Sequence, residues 1–320
     1  MPELPEVETV KRGLNQVTLN QQIKGGDVLL SRTIAHPFSA VEFLSGLKDA
    51  AIVQWHRRGK YLLAKLATGD QVSTVGAGFT NNQSLQQTIQ LNPPLLGEQV
   101  SREEDVSMPN SAGWLGVHLR MTGQLLWLHR DAPLQKHTRV RLFFGEDWEL
   151  RFVDQRTFGK MWWVPPTAAP ENVISGLKKL GPDPFSDGLT VDYLAQKLRS
   201  RRRPIKNALL DQELVAGIGN IYADEALFLA GVRPTTLCTE LNRQQIERIR
   251  TAIIEVLQAS IEAGGTTFSN FLSVQGINGN YGGVAWVYNR DRQPCRVCGG
   301  TIERLKLAGR SAHFCPQCQC

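Results

Sequence analysis

The first half of the chain is patterned like strands and the second half like helices, with one helix placed ahead of both. Leu4, Val7, Val10 and Leu14 form a helical stripe, and Pro5 suits the first position of that helix, where its missing N–H costs nothing. Residues 27–36, 51–56, 60–67, 71–76, 114–130, 138–145 and 148–164 are rich in Val, Ile, Leu, Trp and Phe and predict strands. Thr68-Gly69-Asp70 and Gly145-Glu146-Asp147 supply hairpin turns. Such a succession predicts an antiparallel β-sandwich. Residues 77–113 interrupt it with Asn, Gln, Ser, Pro and Gly and little periodicity, which predicts an exposed insertion.

From the proline-rich run at 165–170 onward the period becomes helical. Residues 190–200, 204–212, 219–231 and 241–263 predict helices, the last carrying Ile246, Ile249, Ile253, Leu257 and Ile261 on one face. The expected fold class is α+β. A sandwich domain with flanking helices spans 1–164, a linker 165–188, a helix-two-turns-helix unit 189–288 and a metal-binding finger 289–320. At 320 residues, two main domains are the natural reading.

The finger rests on four cysteines. Cys295-x-x-Cys298 and Cys315-x-x-Cys318 enclose a stretch long enough for a β-hairpin, which is the spacing of a four-thiolate zinc site. One structural zinc per chain is expected. Cys238 and Cys320 are left over, and Cys318 fits the second knuckle better than Cys320. No secretory signal precedes the first helix, so a disulfide framework is disfavoured. No apolar run reaches the length of a membrane span, so a soluble intracellular protein is expected.

A net charge of +6 hints at a polyanionic partner, and its distribution says more. Lys197, Arg199, Arg201, Arg202, Arg203 and Lys206 crowd together just ahead of a predicted helix. Gly217-Ile218-Gly219 precedes another helix, where backbone amides and the helix dipole could receive a DNA phosphate. At the N-terminus, removal of Met1 would expose the secondary amine of Pro2, a nucleophile able to form an imine with a sugar C1′. Glu3 and Glu6 lie beside it as proton carriers.

These motifs stand together with Pro2-Glu3-Leu4-Pro5-Glu6-Val7-Glu8-Thr9, Arg58-Gly59-Lys60-Tyr61-Leu62, His118-Leu119-Arg120-Met121-Thr122-Gly123 and Asp154-Gln155-Arg156-Thr157-Phe158-Gly159. Further along come Leu180-Gly181-Pro182-Asp183-Pro184, Gly217 to Tyr222 and Gly264-Gly265-Thr266-Thr267. In that order, and with the four-cysteine finger, the chain resembles the formamidopyrimidine-DNA glycosylases over essentially its whole length. The resemblance implies bacterial, cytoplasmic base-excision repair of oxidised purines in double-stranded damaged DNA by a monomer. It implies catalysis by Pro2 and Glu3, with Glu6 supporting, Lys60 contacting a phosphate and assisting the lyase step, and Arg310 serving δ-elimination. Met121, Arg156 and Phe158 match the family's void-filling triad, and His137, Arg201, Lys206 and Asn220 match positions that grip phosphates.

The chain departs from the family pattern at Thr157, where many members carry an arginine, and in its 77–113 insertion. An endonuclease VIII-type enzyme acting on oxidised pyrimidines shares the Pro2 chemistry and is the nearest alternative. A non-catalytic zinc-finger binder is a more distant one, since it has no need of Pro2, Glu3 and Lys60.

Overall fold

Helix α1 (Leu4–Val17) ties the two halves of the molecule together. Its Val7, Val10 and Leu14 enter the core of the sandwich. Leu4, one turn earlier, is buried in the core of the helical half. The structure, a computed structural model, describes residues 1–68, 111–266, 274, 279 and 281–320. The 71–76 strand and nearly all of the 77–113 insertion therefore lie outside the described residues.

The sandwich is built from β1 (Ile23–Val28), β2 (Ile34–His36), β3 (Ala50–Arg58), β4 (Tyr61–Thr68), β5 (Ser111–His118), β6 (Gly123–His129), β7 (Thr138–Phe144), β8 (Trp148–Asp154) and β9 (Lys160–Val164). One sheet has the order β2-β9-β5-β4-β3 and the other β1-β7-β8-β6. Alternate residues of both face a shared core of Trp55, Leu62, Leu115, Val140, Phe144, Leu150 and Phe152, as period-2 burial requires. The sheets are antiparallel as expected, except that β2 runs parallel to β9. Helix α2 (Ala40–Leu47), with Ser39 as N-cap, covers one edge.

Three runs read as single strands are each two elements. Residues 27–36 divide at a short 3-10 turn, Ser31–Thr33. Residues 114–130 divide between β5 and β6, because Arg120 takes φ 55° and the Gly123 N–H closes a turn on the Leu119 carbonyl at 2.9 Å. Residues 148–164 divide between β8 and β9 around Thr157, at φ 58°. Left-handed backbone cannot continue a strand. Residues 111–113, read as the end of the insertion, are the start of β5.

The short helices α3 (Pro170–Val173) and α4 (Ser175–Lys178) carry the chain across to the second half. There α5 (Val191–Leu198), α6 (Ile205–Leu209), α7 (Asn220–Leu229) and α8 (Arg243–Glu262) enclose the second core. Helix α8 starts with a capping box: the Asn242 side chain accepts from the Gln245 N–H at 2.8 Å, and the Gln245 side chain reciprocates at 3.0 Å. The chain ends in a hairpin, β10 (Glu303–Leu307) and β11 (Arg310–Phe314), set between the two cysteine knuckles.

Candidate active site and nucleic-acid interface

The seam between the halves carries the first residues of the chain. Pro2 is buried, and the Glu3 carboxylate sits at the N-terminus of α7, which belongs to the other half. There Glu3 accepts from the Ile221 N–H at 3.0 Å and the Tyr222 N–H at 3.4 Å. These are free first-turn donors, and the helix dipole adds to the attraction. The glycines read as a phosphate cradle thus serve a different anion. A Cβ on Gly219 would lie 2.2 Å from the Glu3 Cδ, and one on Gly217, at φ +92°, would lie 2.6 Å from Leu4. Burial pushes the Glu3 carboxyl above its usual range; the Lys60 charge opposes this and the Glu6 charge adds to it. Such a carboxyl is better able to carry a proton near neutral pH.

Glu6 closes the other side of the seam. It accepts from the Glu3 N–H at 2.8 Å, from the Tyr222 hydroxyl at 2.6 Å and from the Thr266 N–H at 2.9 Å. Its oxygens are therefore committed to holding α1, α7 and the Gly264-Gly265-Thr266 stretch in register. Lys60 follows Gly59, whose φ of 58° turns β3 into β4. Only 6% exposed, its Nζ donates to the Ile218 carbonyl at 2.8 Å. Burial lowers its pKa to about 8; Glu3 raises it and Arg310 lowers it further. Pro2, Glu3, Lys60 and the hairpin bearing Arg310 thus converge on one region.

Two residues that the sequence reading did not single out help to build this region. Arg57 bridges Glu8 at 2.9 Å and Asp183 at 2.7 Å, so it clamps α1 to the start of the helical half. Glu8 consequently falls to about 2: burial raises it, but the Arg57 and Lys11 charges outweigh burial. His118 is buried, and its Nδ1 accepts from the Arg120 N–H at 3.0 Å, which supports the turn carrying Met121. Burial, with Arg120 and Lys60 nearby, drops its pKa to about 3. The Arg57 bridge has no short-range signal, because its partners lie 49 and 126 positions away, whereas the His118 contact is local, two residues along the chain.

The divided strands bring together the two turns that carry the expected wedge residues. Met121 lies in the β5–β6 turn and Phe158 in the β8–β9 turn, and they are 36% and 50% exposed. The Arg156 guanidinium lies 4.9 Å from the Phe158 ring centre. Asp154 fastens both turns, since its carboxylate accepts from the Thr122 hydroxyl and from the Gly159 N–H, the latter at 2.8 Å. The Thr122 hydroxyl in turn accepts from the Arg156 N–H at 3.0 Å. The Thr157 hydroxyl is contacted by Arg32, so a cation from elsewhere in the chain stands beside this departure from the family pattern.

The expected phosphate contacts are differently disposed. His137 gives its carbonyl to the Asp154 N–H at 2.9 Å and so lies against the same turns. Asn220 is the first residue of α7, next to the amides that hold Glu3. Arg201 is tied to Asp211 at 2.7 Å, a carboxylate that Arg203 also engages. Lys206 departs most from an exposed phosphate grip: it is 1% exposed and pairs with the buried Asp224 at 2.6 Å. The basic cluster is therefore partly neutralised within the fold.

At the C-terminus the Sγ atoms of Cys295, Cys298, Cys315 and Cys318 all lie within 4.8 Å of one another. The Cys295–Cys318 and Cys298–Cys315 separations are 3.8 and 3.5 Å. Tetrahedral zinc with Zn–S bonds of about 2.3 Å places sulfurs about 3.8 Å apart. The donor set thus fits one structural zinc, and Cys320 stands outside it. Among the described residues no helix is long and apolar enough to cross a membrane.

A carboxylate and a lysine at an interdomain seam, a helix-two-turns-helix unit and a zinc hairpin define the architecture of a zinc-finger DNA glycosylase. The comparisons specify it further. Residues 1–161 match the formamidopyrimidine-DNA glycosylase N-terminal domain, 180–271 its H2TH domain, and 292–319 the zinc finger found in FPG and IleRS. A formamidopyrimidine-DNA glycosylase of Nostoc punctiforme is 63% identical, the match covering 100% of this chain and 96% of that protein. Two solved structures of Lactococcus lactis Fpg are similar with TM-score 0.79 and 31% identity, each over 99% of both chains. One is a mutant bound to a Fapy-dG-containing DNA, the other a complex with an abasic-site-containing DNA. The chain belongs to the formamidopyrimidine-DNA glycosylase family.

Proposed function

We propose that this chain is a bifunctional base-excision repair enzyme that removes oxidised purines from duplex DNA and then cleaves the abasic site. The observation that carries the reading is the N-terminal Pro2-Glu3 pair held at the α7 N-terminus beside Lys60. Once Met1 is removed, the Pro2 nitrogen attacks C1′ and gives up its proton, the damaged base leaves with its bonding electrons, and opening of the C1′–O4′ bond with a proton delivered to O4′ leaves an iminium that links protein to sugar. Glu3, with its raised pKa, carries protons at the sugar. Lys60 meets a phosphate next to the lesion, and Arg310 assists the second of two eliminations.

A base inside a duplex must be extruded before it can be cut, and the gap must be filled. Met121 and Phe158 are suited to wedge into the stack, and Arg156 to donate to an orphaned cytosine. His137, Asn220 and Arg201 are proposed to contact phosphates. Lys206 is assigned no direct contact, because its charge is already paired inside the fold. The lesion range includes formamidopyrimidines and 8-oxoguanine.

Borohydride trapping on duplexes carrying 8-oxoguanine or an oxidised pyrimidine tests the reading. The purine duplex should trap faster, and mature protein should begin at Pro2. Faster trapping on the pyrimidine lesion would favour the endonuclease VIII-type alternative. Activity in protein that retains Met1 would overturn the proline chemistry, because that nitrogen would be acylated.

A further inference from the structure

We infer that Asp224 is a positioning residue for Arg310, holding the zinc hairpin in register with the Glu3–Lys60 site; the inference rests on the function proposed above. Asp224 is fully buried on α7, two residues beyond the amides of Ile221 and Tyr222 that hold Glu3. One of its oxygens accepts from the His313 backbone N–H at 3.0 Å and lies 3.2 Å from the His313 ring Nδ1. The other pairs with Lys206 Nζ at 2.6 Å. That ammonium also donates to the Ser311 carbonyl at 2.5 Å. The backbone on both sides of Ala312 is thus fastened to one carboxylate–ammonium pair, and Arg310 is the next residue out along β11.

A pair this deeply buried is a poor source of stability, because desolvating two charges offsets most of their attraction. It does provide orientation. The same helix turn that fixes Glu3 through two backbone amides fixes β11 through Asp224, so α7 serves as a common mount for groups from opposite ends of the chain. The Arg310 side chain itself is exposed and has no charged partner among the described residues, so its placement follows from the strand beneath it. Its charge nevertheless reaches the site, since it acts on both Lys60 and Lys206. The other groups around Asp224 are Glu225 beside it, which accepts from the Trp286, Val287 and Tyr288 N–H groups, and Tyr288, whose ring meets that of His313 at 5.0 Å. Glu225 ties down the approach to the finger and Tyr288 backs the His313 ring, while the backbone of β11 is held by Asp224 and Lys206.

The consequence is a split between the two eliminations. Imine formation and the first elimination use Pro2, Glu3 and Lys60, which do not touch Asp224. The second is assigned to Arg310, whose register depends on it. Asp224→Ala should keep borohydride trapping and β-elimination on an abasic-site duplex within about threefold of wild type, while the δ-product share falls about tenfold or more, as for a reacting group misplaced by 1 Å. Asp224→Asn, which keeps an oxygen for the His313 N–H, should fall between the two. Zinc should stay at one per chain in both variants, and hydrogen exchange at the His313 amide should rise in Asp224→Ala.

An unchanged δ share in zinc-replete Asp224→Ala would overturn the inference. So would a parallel loss of trapping and δ product, which would mean that Asp224 supports the whole seam. If Asp224→Ala loses its zinc, Asp224→Asn decides by the same two measures. Arg310→Ala separates the two levels of the argument. If it leaves the δ share intact, the role of Arg310 is wrong and the inference falls with it; if it lowers the share and Asp224→Ala does not, only the positioning is wrong.

Discussion

Gly219→Ala is the most incisive single change the structure offers. Gly219 has φ −130° and ψ −159°, an extended conformation that alanine adopts without strain. Its nearest obstacle is Glu3: the new methyl would lie 2.2 Å from Cδ, 2.4 Å from Oε1 and 2.7 Å from Cγ. All three are well inside van der Waals contact, so the carboxylate has to withdraw by roughly 1 Å. The bond from the Ile221 N–H, now 3.0 Å, then breaks, and the longer one from Tyr222 goes with it. A hydrogen bond to a charged group contributes about 1.5–3 kcal/mol. Losing one such contact from the group that moves protons should slow excision about 10- to 150-fold. The side chains on the turns proposed to meet DNA are untouched, so affinity for lesion DNA should change by less than about threefold, well under 1 kcal/mol. Single-turnover excision of 8-oxoguanine, with a parallel binding titration, measures both. Wild-type excision in a folded Gly219→Ala protein would refute the assignment of Glu3 as the proton carrier held by α7.

Other outcomes follow from charges the fold has displaced. Glu8 has a folded-state pKa of about 2, below its ordinary 4.5, so its stabilisation is complete above pH 4.5 and disappears as pH falls toward 2; Glu8→Gln should flatten the acid limb of a thermal-stability profile. Lys60 sits near pH 8 in the free protein, below its ordinary 10.5, so stability should gain with rising pH between those values. A DNA phosphate would pull Lys60 back up, so binding at pH 8.5 should take up protons, seen as a buffer-dependent binding enthalpy that Lys60→Met removes. Stripping the zinc, or Cys298→Ser, should unfold the terminal hairpin and lower δ-elimination and DNA affinity; full affinity in zinc-free protein would contradict the role of the finger.

Sequence patterning located the elements better than their ends. The strand runs through 114–130 and 148–164 are continuous in composition because Met121 and Phe158 are as apolar as core residues. What divides them is left-handed backbone at Arg120 and Thr157, which no hydrophobic period reveals. The four cysteines were legible because metal ligation fixes their spacing locally. The Gly-x-Gly turn reads in the sequence as a phosphate site, whereas the anion at these amides is the carboxylate of a residue 218 positions away. Lys206 and Arg201 illustrate the opposite limit: a run of cations is plain in the sequence, whereas Asp224 and Asp211, which neutralise part of it, are brought there only by the fold.

The contact between Glu3 and the amide of Ile221 also governs when the enzyme can first act. On the ribosome the N-terminus emerges long before its receptor exists, because 218 positions separate the two. At ordinary elongation rates of about 5–20 residues per second, that interval lasts roughly 10–45 seconds. Throughout it, the seam that will bury Pro2 is unformed, which leaves the terminus open to the methionine removal that the proposed proline chemistry needs. The Glu3 carboxylate thus stays without the amides that hold it until more than two-thirds of the chain has been made. Order of synthesis, as much as geometry, keeps the proposed nucleophile apart from the α7 amides until the chain has been made through Tyr222.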